Sequence, residues 1–258
     1  YIPLGEGYQE HILGAGEFDQ CQLMPAAVSF DELLGWYKQD IAEQSPALAL
    51  GEIDIAHLKI PTNVYGITKV MDERLLVRSG RRFAALRYFN AAGADRSRLI
   101  GEDHDPETHL IPIVLQVALG QRPHITVFGD DYDTLDGTAV RDYVSVPELA
   151  DAHVLCLDKL VSGAESMTYN LGSSKGFSVR EIIKAVREVT GHAIPEILGE
   201  RRSGDPATLI ANADQIKKDL GWQVQESLLE TIESAWHWHR LHPQGYLVVQ
   251  EERFNPFW

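Results

Sequence analysis

The sequence contains few cysteines and fewer cationic than anionic side chains. Its only cysteines, Cys21 and Cys156, are far apart and lack metal-type spacing, so we expect free thiols. Its 23 Lys and Arg against 38 Asp and Glu give a formal charge of −15, which disfavours nucleic-acid binding because phosphate affinity depends on clustered cations. We find no apolar run long enough to span a membrane and no signal peptide. The sequence therefore predicts a soluble, cytoplasmic protein without a membrane or nucleic-acid partner.

A glycine-rich dinucleotide loop is also missing. The nearest approach is Leu13-Gly-Ala-Gly16, which has no third glycine and no apolar strand before it. The full motif needs both features, because its glycines let the backbone approach a pyrophosphate at a helix N-terminus. We interpret Gly14 and Gly16 as an ordinary turn. A helix over 30–43 is the one regular element that we predict in the first sixty residues.

Two patterns that resemble metal sites do not have the required spacing. His237 and His239 fall on different faces of a predicted helix, and His242 follows them. The aspartates between Asp130 and Asp136 lack the ligand spacing and closing glutamate of a calcium loop. We predict no metal site.

From about Pro61 onward, short apolar runs alternate with helical patterns, which is typical of βαβ units and a mostly parallel sheet. Ser178-Val-Arg-Glu181 is a capping box that opens one of the helices. The predicted strands are 83–90, 125–129 and 167–171, and the predicted helices are 64–78, 111–119, 146–160, 179–190, 213–220 and 231–241.

Tyr65 and Lys69 lie four residues apart, hence on one face of the first of these helices. Free tyrosine has a pKa of about 10, and a nearby cation favours the phenolate that a catalytic base needs. An aromatic ring and a solvated lysine satisfy the same spacing. The spacing alone therefore leaves both interpretations open.

Further motifs follow this pair in order, and together they resemble the UDP-glucose 4-epimerases of the extended short-chain dehydrogenase/reductase family over about residues 61–246. The motifs are NVYGITK (63–69), LRYFNAAGA (86–94), GEDHDPETHLIP (101–112), TVFGDDYDTLDGTAVRDYV (126–144), YNLG (169–172) and RRSGD (201–205). The resemblance implies an α/β chain with a Rossmann-like doubly wound parallel sheet, N-terminally incomplete, and a smaller α/β substrate domain. It also implies an isomerase of galactose metabolism that interconverts UDP-galactose and UDP-glucose with NAD.

The resemblance also implies roles for individual residues. Tyr65 becomes the acid/base, Lys69 its electrostatic partner and a cofactor ligand, and Tyr88 lies beside NAD. The third catalytic hydroxyl has no clear counterpart, because alignment on Gly51 puts Pro46 at its position; Ser45, one residue away, is the candidate. The implied substrate-binding residues are Tyr88, Phe89, Asn90, His109, Leu110, Thr126, Val127, Phe128, Arg141, Arg202, Asp205 and Leu209.

Each of these residues also has a structural interpretation. Phe89, Val127 and Phe128 suit a strand core, and Arg141 beside Asp142 suits a surface ion pair. Arg201 with Arg202 suits a solvated charge run. The ordered motifs favour ligand roles.

The domain organisation follows the same resemblance. Residues 1–95 are predicted to form a partial NAD-binding domain, divergent over 1–60, and 96–258 a nucleotide-sugar domain from which 140–172 returns to the sheet. Two other functions stay open: a nucleotide-sugar-binding relative without a working NAD site, and a related NAD-dependent dehydratase or decarboxylase. The family usually dimerises through the helix that bears the dyad together with the helix before it, so a homodimer is predicted if the divergent N-terminal segment supplies that surface.

Overall fold

The computed structural model describes residues 52–53, 64–202 and 205–246. All of them belong to one compact unit, Leu48–Trp258. The predictions for Gly14, Gly16, the helix over 30–43 and Ser45 lie outside these residues, and Tyr65 is described through its backbone alone.

The described strands are short and mostly parallel, as the βαβ rhythm predicts. They are β1 (Glu52–Ile53), β2 (Ala84–Tyr88), β3 (Asn90–Ala92), β4 (Ile125–Phe128), β5 (Val140–Ser145), β6 (Met167–Leu171), β7 (Gly176–Ser178), β8 (Glu196–Gly199) and β9 (Thr208–Ala211). The main sheet has the order β1-β9-β5-β3, with β7 antiparallel to β5. Two parallel pairs, β2-β6 and β4-β8, accompany it.

The described helices begin and end at recognisable signals. They are α1 (Val64–Arg78), α2 (Leu110–Ala118), α3 (Val146–Val161), α4 (Val179–Thr190), α5 (Asp214–Leu220) and α6 (Leu228–Leu241). A capping box at Ser178 opens α4, and Gly191 closes it with a φ of 71°, a left-handed conformation that glycine adopts without steric cost. The prediction of α1 is confirmed at both ends.

Two apolar clusters hold the elements together. The first packs α2, α4 and α6 through side chains such as Leu115, Ile182 and Ile232, each fully buried. The second packs α3 against β6 through Leu149, Cys156 and Leu171. Full burial of one such side chain contributes roughly 1.5–3 kcal/mol. No helix among the described residues is both long and apolar enough to span a bilayer.

The return of 140–172 to the sheet stays a prediction, although two strands of that segment pair with earlier strands. β5 pairs in parallel with β3, and β6 pairs in parallel with β2. The division into a cofactor domain and a substrate domain stays a prediction.

Candidate substrate site

A cavity of about 750 Å³ opens where β3, β4 and β5 approach the start of α2. This volume is in the range of small-molecule sites. Eight of the twelve predicted substrate residues line it: Asn90, His109, Leu110, Thr126, Phe128, Arg141, Arg202 and Asp205. Residues separated by more than a hundred positions in sequence are thus brought to one site.

Arg141 lies on β5, and its half-buried guanidinium reaches into this cavity. Nη2 lies 3.5 Å from Oδ1 of Asp205, and Nη1 donates to the Val140 carbonyl at 2.7 Å. No salt bridge is present between Arg141 and Asp142 within the described part of the chain, so the surface-pair interpretation does not describe this residue. The guanidinium is instead a partly desolvated cation facing the cavity, where a bidentate fork suits a phosphate.

Arg202 supplies a second cation at the same cavity. Its guanidinium carbon lies 4.2 Å from the centre of the Phe128 ring, a cation–π contact. The guanidinium of Arg201 lies over the ring of Tyr132 and forms an ion pair with Asp131. The two neighbouring arginines therefore do not form one solvated run, and Arg202 faces the cavity.

Asn90 and Asp142 fix the sheet beneath the cavity. Nδ2 of Asn90 donates to the Asp142 carbonyl at 2.7 Å. The fully buried Asp142 carboxylate accepts bonds from Ser173 N and Oγ, Ser174 N and Ala211 N, at 2.6–3.1 Å. Burial raises the pKa of Asp142 and these bonds oppose the rise. Asp142 therefore joins β5 to β9 and to the turn after β6.

Four predicted substrate residues do not line the cavity. The side chain of Val127 is buried in the core and that of Tyr88 is exposed at the end of β2. Phe89 donates its backbone N–H to Leu171 at 3.1 Å. Leu209 pairs with Arg141 across β5 and β9, next to the cavity residues.

The predicted dyad lies on α1. Nζ of Lys69 is 3.5 Å from Oδ2 of Asp72, and both side chains are exposed. The helix is tied to β2 by a bidentate pair, in which Arg87 Nε and Nη2 donate to Glu73 at 2.6 and 2.8 Å. Catalytic roles for Tyr65, Lys69 and Ser45 stay predictions.

The cavity also contains residues that the motifs did not single out as ligands, among them Arg122, His124 and Tyr143. Burial raises the pKa of Tyr143 far above its ordinary value, so this phenol stays protonated and is a hydrogen-bond donor rather than a base.

Segment 102–109, on the rim of the cavity, holds a further group of polar side chains: Glu102, His104, Glu107 and His109. The signal that marks it in the sequence is a Glu-x-His pair that repeats five residues later. Neither histidine belongs to the metal-like patterns found at 237–242. In the structure His237 lies 2.8 Å from Arg98 and the His242 ring stacks on Trp238 at 3.8 Å.

Fold and site together define a Rossmann-like α/β chain with a cationic small-molecule cavity. The NAD dependent epimerase/dehydratase family matches residues 44–172. The UDP-glucose 4-epimerase of Halalkalibacterium halodurans is 51% identical over 199 residues, 75% of this chain and 60% of that protein. That of Corynebacterium glutamicum is 41% identical over 237 residues, 88% of this chain and 71% of that protein. The chain belongs to the NAD dependent epimerase/dehydratase family.

A solved structure shares this fold. UDP-glucose 4-epimerase from Stenotrophomonas maltophila, with bound NAD and formylated UDP-arabinopyranose, has a TM-score of 0.73 and 39% identity, and the match covers 76% of this chain and 60% of that one. The chain thus spans about 60% of the length of the first relative and of this neighbour.

Proposed function

We propose that the protein is a UDP-glucose 4-epimerase, which interconverts UDP-galactose and UDP-glucose by transient oxidation at sugar C4. The observation that carries this proposal is the convergence of Arg141, Arg202 and Phe128 on one cavity of about 750 Å³. Two guanidinium groups suit a diphosphate, and a partly exposed aromatic ring suits a base. The relatives named UDP-glucose 4-epimerase and the neighbour with NAD and a UDP-sugar support the same assignment.

The substrate is held chiefly through its nucleotide. Arg141 and Arg202 receive the diphosphate, Thr126 and Phe128 flank the uracil, and Asp205 accepts a ribose hydroxyl. A sugar ring that turns over between two faces cannot be held tightly. Most of the binding energy therefore comes from contacts remote from C4.

The cofactor is NAD, which when bound supplies reversible hydride acceptance at C4. The described residues offer suitable donors: the exposed ammonium of Lys69 and the exposed phenol of Tyr88 at the carboxyl end of a parallel strand. Tyr65 removes the proton of the 4-hydroxyl, and Lys69 favours its phenolate and holds the nicotinamide ribose.

The first experiment measures NAD released from the denatured protein, followed by conversion of UDP-galactose to UDP-glucose. We expect stoichiometric NAD and turnover. UDP binding without NAD at millimolar concentration would favour a nucleotide-sugar-binding relative. NAD binding with oxidation or elimination products would favour a dehydratase or decarboxylase. Binding of neither ligand would contradict the proposal.

We also propose a cytoplasmic homodimer that uses α1. Leu76 and Val77 expose 39% and 67% of their surfaces on this helix, which is the family's usual dimer element. Cys156 is a buried free thiol, in keeping with a reducing compartment.

A further inference from the structure

The segment 102–109, on the rim of the substrate cavity, gathers two carboxylates and two imidazoles. One ligand atom from each of Glu102, His104, Glu107 and His109 lies within 4.8 Å of the others. His109 Nδ1 is 2.8 Å from Glu102 Oε1 and 2.9 Å from Glu107 Oε1. His104 Nδ1 is 3.1 Å from Glu102 Oε1 and 3.8 Å from Glu107 Oε2.

The two imidazole Nδ1 atoms of this cluster share their carboxylate partners. One imidazole nitrogen carries at most one proton, yet His109 Nδ1 faces two carboxylate oxygens. His104 Nδ1 shares Glu102 Oε1 with it. Glu102 and Glu107 are both largely buried, with side-chain exposures of 16% and 4%. Two carboxylates this close and this shielded repel each other strongly unless a cation lies between them.

We propose that Glu102, His104, Glu107 and His109 form a binding site for one zinc ion. Two imidazole nitrogens with two carboxylate oxygens suit Zn²⁺ and disfavour the oxygen-preferring Ca²⁺ and Mg²⁺. Ligand atoms about 2.0–2.1 Å from a tetrahedral ion lie about 3.4 Å from one another. The four nitrogen–oxygen separations of 2.8–3.8 Å, two of them to different oxygens of Glu107, lie around that value, and all four ligand atoms lie within 4.8 Å of one another.

The surroundings of the cluster fix the Glu107 carboxylate and leave the two imidazoles open to solvent. Glu107 Oε1 accepts the backbone N–H groups of Thr108 and His109, both at 2.7 Å, which fixes the carboxylate. The imidazoles are about half exposed, at 53% for His104 and 52% for His109, so an ion can enter from solvent. Both His109 and the next residue, Leu110, line the substrate cavity. Zinc therefore fixes one wall of that cavity and takes no part in the reaction there.

The test is a zinc titration of chelator-treated protein against a chromophoric indicator. We expect one ion per chain. His104→Ala and His109→Ala should each weaken zinc binding at least about tenfold, because loss of a residue that only hydrogen-bonds to a metal ligand already costs about 10–100-fold. Zinc should also raise the unfolding temperature of the wild type and not that of His104→Ala. Neither readout involves nucleotide or turnover, so the result is independent of the proposed function.

His192→Ala is the matched control. His192 is exposed after α4, and its described ring contact is with Trp236, so this variant should bind zinc like the wild type. Far-UV circular dichroism checks that the variants fold. Wild type that holds no zinc at micromolar concentration would overturn the proposal. Equal zinc affinity in the wild type and in folded His104→Ala would also overturn it, since the ion would then lie elsewhere.

Discussion

Arg141 is the more buried of the two predicted diphosphate-binding arginines. Arg141→Gln should weaken UDP binding roughly 10–100-fold, because hydrogen bonds to charged groups contribute about 1.5–3 kcal/mol. Isothermal titration with UDP measures the effect. Arg96→Gln is the control, since Arg96 pairs with Glu226 on the surface, away from the cavity. If the two variants bind UDP with equal affinity, Arg141 does not contact the nucleotide.

The predicted dyad on α1 is tested by removing the proposed acid/base, Tyr65, and the proposed cation, Lys69, separately. Tyr65→Phe should lower the epimerisation rate by roughly 10²–10⁴ and leave UDP affinity unchanged, because only the proton acceptor is lost. Lys69→Met should lower both turnover and NAD affinity. Steady-state kinetics and NAD titration separate these effects, with the exposed Lys159→Met as control. A wild-type rate in Tyr65→Phe would contradict the assignment of the base.

Asp142 serves the structure beneath the site. Oδ1 accepts two bonds from Ser173, and Oδ2 accepts from Ser174 N and Ala211 N. Asp142→Asn replaces one of these oxygens by a donor, so we expect a loss of about 2–3 kcal/mol in the free energy of unfolding. Urea denaturation measures it. The exposed Asp158→Asn is the control, and equal stability of the two variants would contradict this role.

Ligand roles could be predicted from the sequence only for residues that lie within one of the ordered motifs. Arg141, Arg202 and Phe128 are unremarkable one by one, and only the ordered motifs indicated a shared ligand. The group at 102–109 was missed because its members fit no familiar metal spacing. The separate orientations of Arg201 and Arg202 depend on tertiary contacts with Tyr132 and Phe128, which no local pattern contains.

At the scale of elements, the capping box of α6 offers a test of local stabilisation. Ser227 Oγ accepts from Glu230 N at 3.3 Å, and Ser227 N and Oγ donate to the Glu230 carboxylate at 2.7 Å. Ser227→Ala should destabilise the protein by about 1 kcal/mol. The bonds from Ser227 lower the pKa of Glu230 below 4.5. Their stabilisation is therefore present above that pH and is lost as pH falls through the folded pKa.

Urea denaturation at neutral pH and again well below pH 4.5 measures this dependence. The difference between wild type and Ser227→Ala should shrink in acid. Ser162→Ala is the control, because Ser162 donates to a backbone carbonyl, Asp158 O, instead of a carboxylate. Ser227→Ala keeps the backbone bond from Ser227 N, so a difference that does not change with pH would show that the bond from Ser227 Oγ to the Glu230 carboxylate contributes nothing.

Elements with their own caps and periodicity were predicted from the sequence, whereas those that depend on neighbours were not. α4 is confirmed because Ser178 and Gly191 mark its ends. α6 begins at Leu228, three residues before the predicted start at 231, because the Ser227–Glu230 capping box opens it there. β5 was missed because it carries Arg141 and Asp142, charged residues that only tertiary partners make acceptable in a central strand.

At the scale of the whole molecule, the proposed homodimer predicts a mass of twice 28.8 kDa. Leu76→Glu or Val77→Glu should shift the protein to the monomer, because a charge would be buried in the apolar α1 interface. Light scattering after size exclusion measures the mass. Leu135→Glu, in a fully exposed loop position, is the control. A monomeric wild type would contradict the dimer.

The position of β5 within the sheet decides when the side chain of Arg141 loses its conformational entropy. This strand is hydrogen-bonded to β3, β7 and β9, and Arg141 projects from it with two partners already in place. The rotamer entropy of Arg141 is therefore lost when the chain folds, before any nucleotide arrives. Arg202 lies outside regular structure and is exposed, with a cation–π contact to Phe128, so it keeps more of its freedom than Arg141 does. Under the proposed function, Arg141 is the more preorganised of the two arginines for a diphosphate, and Arg202 loses more freedom when the ligand binds.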